Sequence, residues 1–200
     1  MYNTCMFYIV ALGNPGEKYA YTRHNVGWLA LDYFVEKLQL PAPVESKPFS
    51  GKVSRAVVGD NEVVLLYPST FMNNSGGAVV KLVPKGEIDN LVVVHDDIDL
   101  PFGTVKIGKG RGAGGNQGVQ SVIDAMGSKD FIRVRIGIAP KSFWTGRVTR
   151  PSGGGPLERF VLKQFTRSEQ KQVAEVCELA SSALSAIVKE GVEQAMNKYN

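Results

Sequence analysis

Sulfur and imidazole are scarce in this chain, which has two cysteines and two histidines in 200 residues. That is too little for a disulfide framework, and two cysteines with two distant histidines make no metal site. Cys5 falls in an apolar strand and Cys177 on an apolar helix face, so both read as reduced core thiols of a cytoplasmic protein. No run of about 18 apolar residues occurs, and no membrane-spanning helix is expected. The apolar run Met6 to Leu12 is too short for a signal segment, lacks a basic flank and leads into Gly13-Asn-Pro-Gly16 instead of a small-residue cleavage site. The Gly-x-Ser-x-Gly pattern is also absent, which favours direct attack by water over an acyl-enzyme. No internal repeat or linker breaks the chain, so residues 1–200 are expected to form one domain around one core.

What is present alternates between strand-like and helix-like stretches. Met6 to Leu12 reads as a buried strand ending in a Gly-Asn-Pro-Gly turn, and Asn25 to Leu38 carries a 3.6-residue apolar stripe stopped by Pro41-Ala-Pro43. Phe49 to Val58 and Glu62 to Tyr67 flank Gly59-Asp60-Asn61 as a hairpin, and a short helix spans roughly Asn74 to Leu82. Leu91 to His95 is an aliphatic run suited to a strand buried on both faces, followed by the acidic cluster Asp96 to Asp99. Thr104 to Ile107 is a short strand, and Gln117 to Met126 a helix. Phe131 to Ala139 alternates, with Arg133 and Arg135 on one wet or ligand-facing side. Pro140 to Pro156 reads as a long surface loop and Leu157 to Leu162 as a short helix. Thr166-Arg-Ser-Glu169 has capping-box spacing and opens a long amphipathic helix that Gly191 ends or kinks before a last turn to Tyr199. The expected class is α/β, a single domain with a central mixed β-sheet flanked by helices.

Charge is unevenly distributed. Residues 101–167 hold twelve Lys/Arg against three acids, a net +9, whereas the chain as a whole is +4 and the remainder therefore −5. A basic segment rich in glycine loops suits a surface that neutralises nucleic-acid phosphates.

In open α/β sheets, ligands bind beyond the carboxyl ends of the strands. Asn14 follows the first strand, Met72 and Asn73 follow the hairpin, and Asp96 follows the Leu91 to His95 run. His24 starts the helix after the first strand, where it can meet all three. An Asp beside a His fixes the imidazole tautomer and lets the ring take a proton from water. His95 ends an apolar run and is expected to be a satisfied core residue. Gly110-Arg-Gly112-Ala-Gly-Gly115 matches the dinucleotide fingerprint, but its preceding strand is short and carries Lys106, and Asp130 comes before the next strand instead of at its end. A loop that meets RNA backbone explains the glycines with Lys109 and Arg111 at least as well.

Gly13-Asn-Pro-Gly16 with Tyr19-x-x-Thr-Arg-His-Asn-x-Gly27, then Phe71-Met-Asn-x-Ser-Gly76, then His95-Asp-Asp-x-Asp-Leu-Pro101 resembles the bacterial-type peptidyl-tRNA hydrolase family across essentially the whole chain. The resemblance implies a monomeric esterase that cleaves peptide from the tRNA 3′ ribose, without metal or cofactor, and meets the acceptor stem and 3′ end as well as the nascent peptide. It casts His24 as general base and Asp96 as its orienting partner. Asn14, Tyr19, Met72, Asn73, Asn116 and Gln117 fall among the residues that would line the substrate site. Lys106, Lys109, Arg111, Arg133 and Arg135 would meet tRNA backbone, with Arg135 where the family grips the 5′ phosphate. The family's partner lysine has no aligned equivalent, since Gly108 occupies that place and Lys106 or Lys109 would substitute, and the family's Gly-His-Asn-Gly is replaced by Gly115-Asn-Gln-Gly118. The second departure gives an alternative: an RNA-binding homologue with weakened catalysis, similar to a chloroplast intron-splicing factor.

Overall fold

The computed structural model describes residues 5–140, 148–149 and 154–200. Its centre is a seven-stranded mixed sheet in the order β2-β3-β4-β1-β5-β7-β6. β1 (Met6–Ala11) lies parallel between β4 (Asn61–Pro68) and β5 (Leu91–Pro101), and β5 runs parallel to β7 (Ile132–Ala139). The outer strands β2 (Val44–Ser46), β3 (Gly51–Val58) and β6 (Val105–Lys109) are antiparallel to their neighbours.

Alternate side chains of β1 explain the layering. Phe7, Ile9 and Ala11 point into a core shared with α1 (Val26–Lys37), α5 (Arg167–Glu190) and α6 (Val192–Tyr199). Tyr8, Val10 and the following Leu12 point the other way, against α2 (Gly76–Leu82) and α3 (Gln117–Met126). A strand covered on both faces needs no polar side, which is why its sequence is a continuous apolar run. α4 (Gly155–Val161) lies at the end of the molecule where the turn before α1 emerges.

The hairpin, the helices and the Thr166 capping box form as expected, with Thr166 Oγ1 accepting from the Glu169 N–H and the Glu169 carboxylate accepting from the Thr166 N–H. Four expectations need correction. The edge strand β2 follows the Pro41-Ala-Pro43 stop, where no strand was expected, because Val44 to Ser46 can pair with β3 at the sheet edge. β5 does not end at His95 but runs to Pro101, so the acidic cluster lies within the strand. Backbone pairing with β7 is indifferent to side-chain charge, and Gly137 permits it: a Cβ there would sit 2.1 Å from the Pro101 carbonyl oxygen. Cys5 precedes β1 and is exposed, whereas Cys177 is buried. Arg133 faces not water but the interior, at 2% exposure, under the glycine loop. The expected Pro140 to Pro156 loop lies largely outside the described residues. Among the described residues no helix is long and apolar enough to cross a membrane.

Candidate active site

The chain leaves β1 at Leu12, turns through Gly13 to Gly16 and enters a 3-10 turn, Arg23–Asn25, that leads directly into α1. Gly27 allows this turn to sit against the sheet, since a Cβ would lie 2.7 Å from the Val94 carbonyl oxygen and 2.8 Å from that of Leu12. His24 is thereby placed over β5, with its Nδ1 2.9 Å from Asp96 Oδ2. Both groups are sheltered, with side-chain exposures of 13% and 4%. Burial pulls the His24 pKa down, but the charge of Asp96 and its hydrogen bond outweigh that and leave it above the ordinary value of 6.5. Because Asp96 accepts at Nδ1, that nitrogen carries the proton, and the neutral ring presents a bare Nε2.

Asn25, fully buried, holds the opposite wall. Its Oδ1 accepts from the Asn14 N–H and its Nδ2 donates to the Asn14 carbonyl, both at 2.9 Å. Asn14 Oδ1 in turn accepts from the Met72 N–H at 2.8 Å, which orients the Asn14 amide so that its NH2 remains available. Met72 packs over α3, close enough that a Cβ on Gly118 would meet its Sδ at 2.4 Å. Tyr19 and Phe71 meet edge to face at the rim, ring centroids 6.5 Å apart.

These groups converge on one cavity of about 670 Å³. His24, Asp96, Asn14, Tyr19, Met72, Asn73, Asn116 and Gln117, all singled out from the sequence, line it together. Asn73 and Gln117 are exposed at its edge. Asn116 is committed within the protein: it caps α3 and donates to Asp96, so its amide does not stand free for substrate. Leu157, Glu158 and Val161 of α4 form a further wall that no sequence motif marks. The apolar spacing of Leu157 and Val161 on a short helix was its one visible signal. His95 is buried as expected but only half satisfied: Nδ1 donates to the Asp96 carbonyl at 2.7 Å, while Nε2 has no partner among the described residues. Burial holds its pKa down and the ring neutral.

A model of the family described as peptidyl-tRNA hydrolase matches residues 8–200. The peptidyl-tRNA hydrolase of Syntrophotalea carbinolica is 38% identical over 96% of this chain and 95% of its own length. That of Syntrophomonas wolfei is 40% identical, covering 96% and 98%. The crystal structure of peptidyl-tRNA hydrolase from Acinetobacter baumannii superposes with a TM-score of 0.83 at 29% identity, covering 98% of this chain and 94% of that one. This chain belongs to the peptidyl-tRNA hydrolase family.

The cations expected to meet tRNA are mostly engaged in this member of the peptidyl-tRNA hydrolase family. Arg135 Nε donates to Asp97 Oδ2 at 2.7 Å, and Lys109 Nζ pairs with Asp89 at 2.6 Å. Lys106, opposite Arg135 across β6 and β7, donates to the Asn200 carbonyl. Arg133 Nη1 donates to the Gly112 carbonyl at 2.8 Å and braces the glycine loop from beneath. Arg111 is exposed on that loop. Arg133 thus stands apart from the other four, which lie at or near the surface.

Proposed function

We infer that this chain hydrolyses the ester between a peptide and the tRNA 3′ ribose, and propose that water activated by His24 is the nucleophile. Asp96 holds the protonated Nδ1, and Nε2 takes a proton from water as its oxygen attacks the ester carbonyl. The imidazolium then returns that proton to the departing 3′ oxygen, leaving a free peptide carboxyl and a ribose hydroxyl. Asn14 and Asn73 steady the peptide and the developing oxyanion, where one well-placed donor contributes about 3 kcal/mol. The observation that carries this is the His24–Asp96 contact beside an Asn14 amide whose other groups are already engaged.

The surface cations Lys106, Lys109, Arg111 and Arg135 would serve the acceptor stem, and the protein would act as a cytoplasmic monomer. The alternative of an RNA-binding homologue without hydrolysis is not favoured, because the curated relatives are hydrolases and Asn116 still engages Asp96. His24→Ala should slow release of tRNA from purified peptidyl-tRNA by about 10²–10⁴-fold in single-turnover assays. Cleavage at the parent rate would mean that another group is the base.

A further inference from the structure

Asn116 lies at the start of α3, and its amide does two things at once. Gly114 and Gly115, at φ of 62° and 86°, reverse the loop and deliver Asn116 to the start of α3 with extended backbone angles. Its Oδ1 accepts from the N–H groups of Gly118 at 3.0 Å and Val119 at 3.1 Å, satisfying two donors that the first helical turn leaves open. The two ends of an amide are chemically opposite. Once the helix claims the oxygen, the NH2 must face the other way, and there Nδ2 donates to Asp96 Oδ1 at 2.8 Å and to the Asp96 carbonyl at 3.2 Å.

The Asp96 carboxylate is therefore divided, with Oδ1 held by Asn116 and Oδ2 by His24. The terminal torsion of an aspartate is broad, so a carboxylate tied at one oxygen alone can swing. Tied at both, it cannot turn from the imidazole without breaking a partly buried hydrogen bond. We propose that Asn116 is a positioning residue, whose amide uses the first turn of α3 as an anchor to lock the Asp96 carboxylate and so fix the His24 ring. Its kinetic consequence rests on His24 being the base, whereas the coupling itself is a property of the free protein.

Two substitutions separate this role from simple helix capping. Asn116→Asp is isosteric and keeps an N-cap acceptor, but it turns the donor facing Asp96 into a second acceptor. Asn116→Ser also keeps a cap, with a side chain too short to reach the carboxylate. The readouts are the melting temperature, the pH titration of the His24 ring by NMR in the free full-length protein, and kcat and KM across pH. His24 shares its cavity with Tyr19, His95, Asp97 and Glu158. Asp97 is paired with Arg135, and none of these four is altered by the variants.

In Asn116→Asp the added negative charge should move the His24 midpoint upward by about 0.5–1 unit. In Asn116→Ser, where Asp96 is free to swing away, the midpoint should fall. Both should keep a melting temperature near that of the parent and lose about tenfold or more in kcat with little change in KM. Unchanged His24 midpoints in both variants would overturn the proposal, as would a rise in KM with kcat intact, which would make Asn116 a substrate contact. If the midpoints move as stated but the parent releases no tRNA from peptidyl-tRNA, the coupling holds and the assigned reaction is wrong. Should one variant fail to fold, the other decides.

Discussion

Arg23 donates to both carboxylate oxygens of Glu169, at 2.7 and 2.8 Å, across 146 residues of sequence. The same guanidinium donates to the carbonyls of Lys163 and Gln164 and lies over the rings of Phe160 and Phe165. Glu169 is the third residue of α5 and closes the capping box that starts it. The turn that carries His24 is therefore anchored, one residue away, to the junction between α4 and α5. A wall of the cavity and the turn that carries His24 share one buried cation.

Glu169→Gln should cost about 1.5–3 kcal/mol, because it leaves the Arg23 charge buried against a neutral group. Partial burial pushes the Glu169 carboxyl up, but hydrogen bonds from Thr166 and Arg23 outweigh that and hold it below its ordinary value. A carboxylate with a depressed folded pKa contributes stability above its unfolded value and loses it as pH falls through the folded one. The gap between parent and variant should be full near neutrality and close in acid, as measured by urea denaturation from pH 7 down to pH 3. A gap that stays constant through the acid range would mean the pair is not the source.

Much of this was legible because period and strand ends are local features. The run Met6 to Leu12 could only be a strand covered on both faces, and polar residues just beyond such runs could only converge at one end of a sheet. What escaped was decided by distant partners. The sequence cannot show that β7 would carry β5 past His95 to Pro101, nor that Gly137 would let the two backbones approach. Arg133 alternates with Arg135 as any wet face would, yet the glycine loop folds over it and turns one of two equivalent-looking arginines into a buried brace. The reciprocal pair of Asn14 and Asn25 was hidden likewise, since each alone is an ordinary turn residue.

The pH profile should show the His24–Asp96 contact directly. Only the neutral ring can accept a proton, and Asp96 holds its pKa above the ordinary 6.5. The acid limb of kcat/KM should therefore be centred above that value, with activity rising as pH passes through it. Asp96→Asn removes the charge that opposes burial, so the limb should move to lower pH while kcat falls about 10²–10⁴-fold. A limb that stays in place in Asp96→Asn would mean that another group sets it.

Two glycines beneath the site should behave differently when given a methyl group. At Gly27 the methyl would meet two backbone oxygens, of Val94 in β5 and of Leu12 directly after β1, which are held by the central sheet and cannot yield. At Gly118 the tightest neighbour is the Met72 thioether, which is flexible, with the side chain of Leu12 next at 2.9 Å. Gly27→Ala should cost about 1–3 kcal/mol and lower Tm by roughly 3–10 °C, with loss of kcat as the His24 turn lifts. Gly118→Ala should cost less stability and act on KM, by moving Met72 into the cavity. Calorimetry with steady-state kinetics separates the two, and equal losses of Tm would contradict the distinction.

Binding of tRNA should weaken steeply with salt, and the contributing cations should be distinguishable one by one. Each phosphate contact adds about 0.7–0.9 to the slope of log K against log salt. Arg111 is exposed on the glycine loop, so Arg111→Ala should reduce that slope by about 1 without altering Tm. Arg133→Ala should do the reverse: it frees the Gly112 carbonyl under the loop, lowers Tm and leaves the slope almost unchanged. Gly108 lies opposite Arg133 on β6, and among the described residues a Cβ there would meet only the Arg135 side chain, at 4.0 Å. A side chain can therefore leave the backbone at this position. Gly108→Lys should therefore steepen the slope by about 1 and lower KM, and filter binding from 50 to 300 mM salt would measure both. If Arg111→Ala left the slope intact while Arg133→Ala reduced it, the phosphate contacts would have to be sought beneath the loop, where the structure buries them.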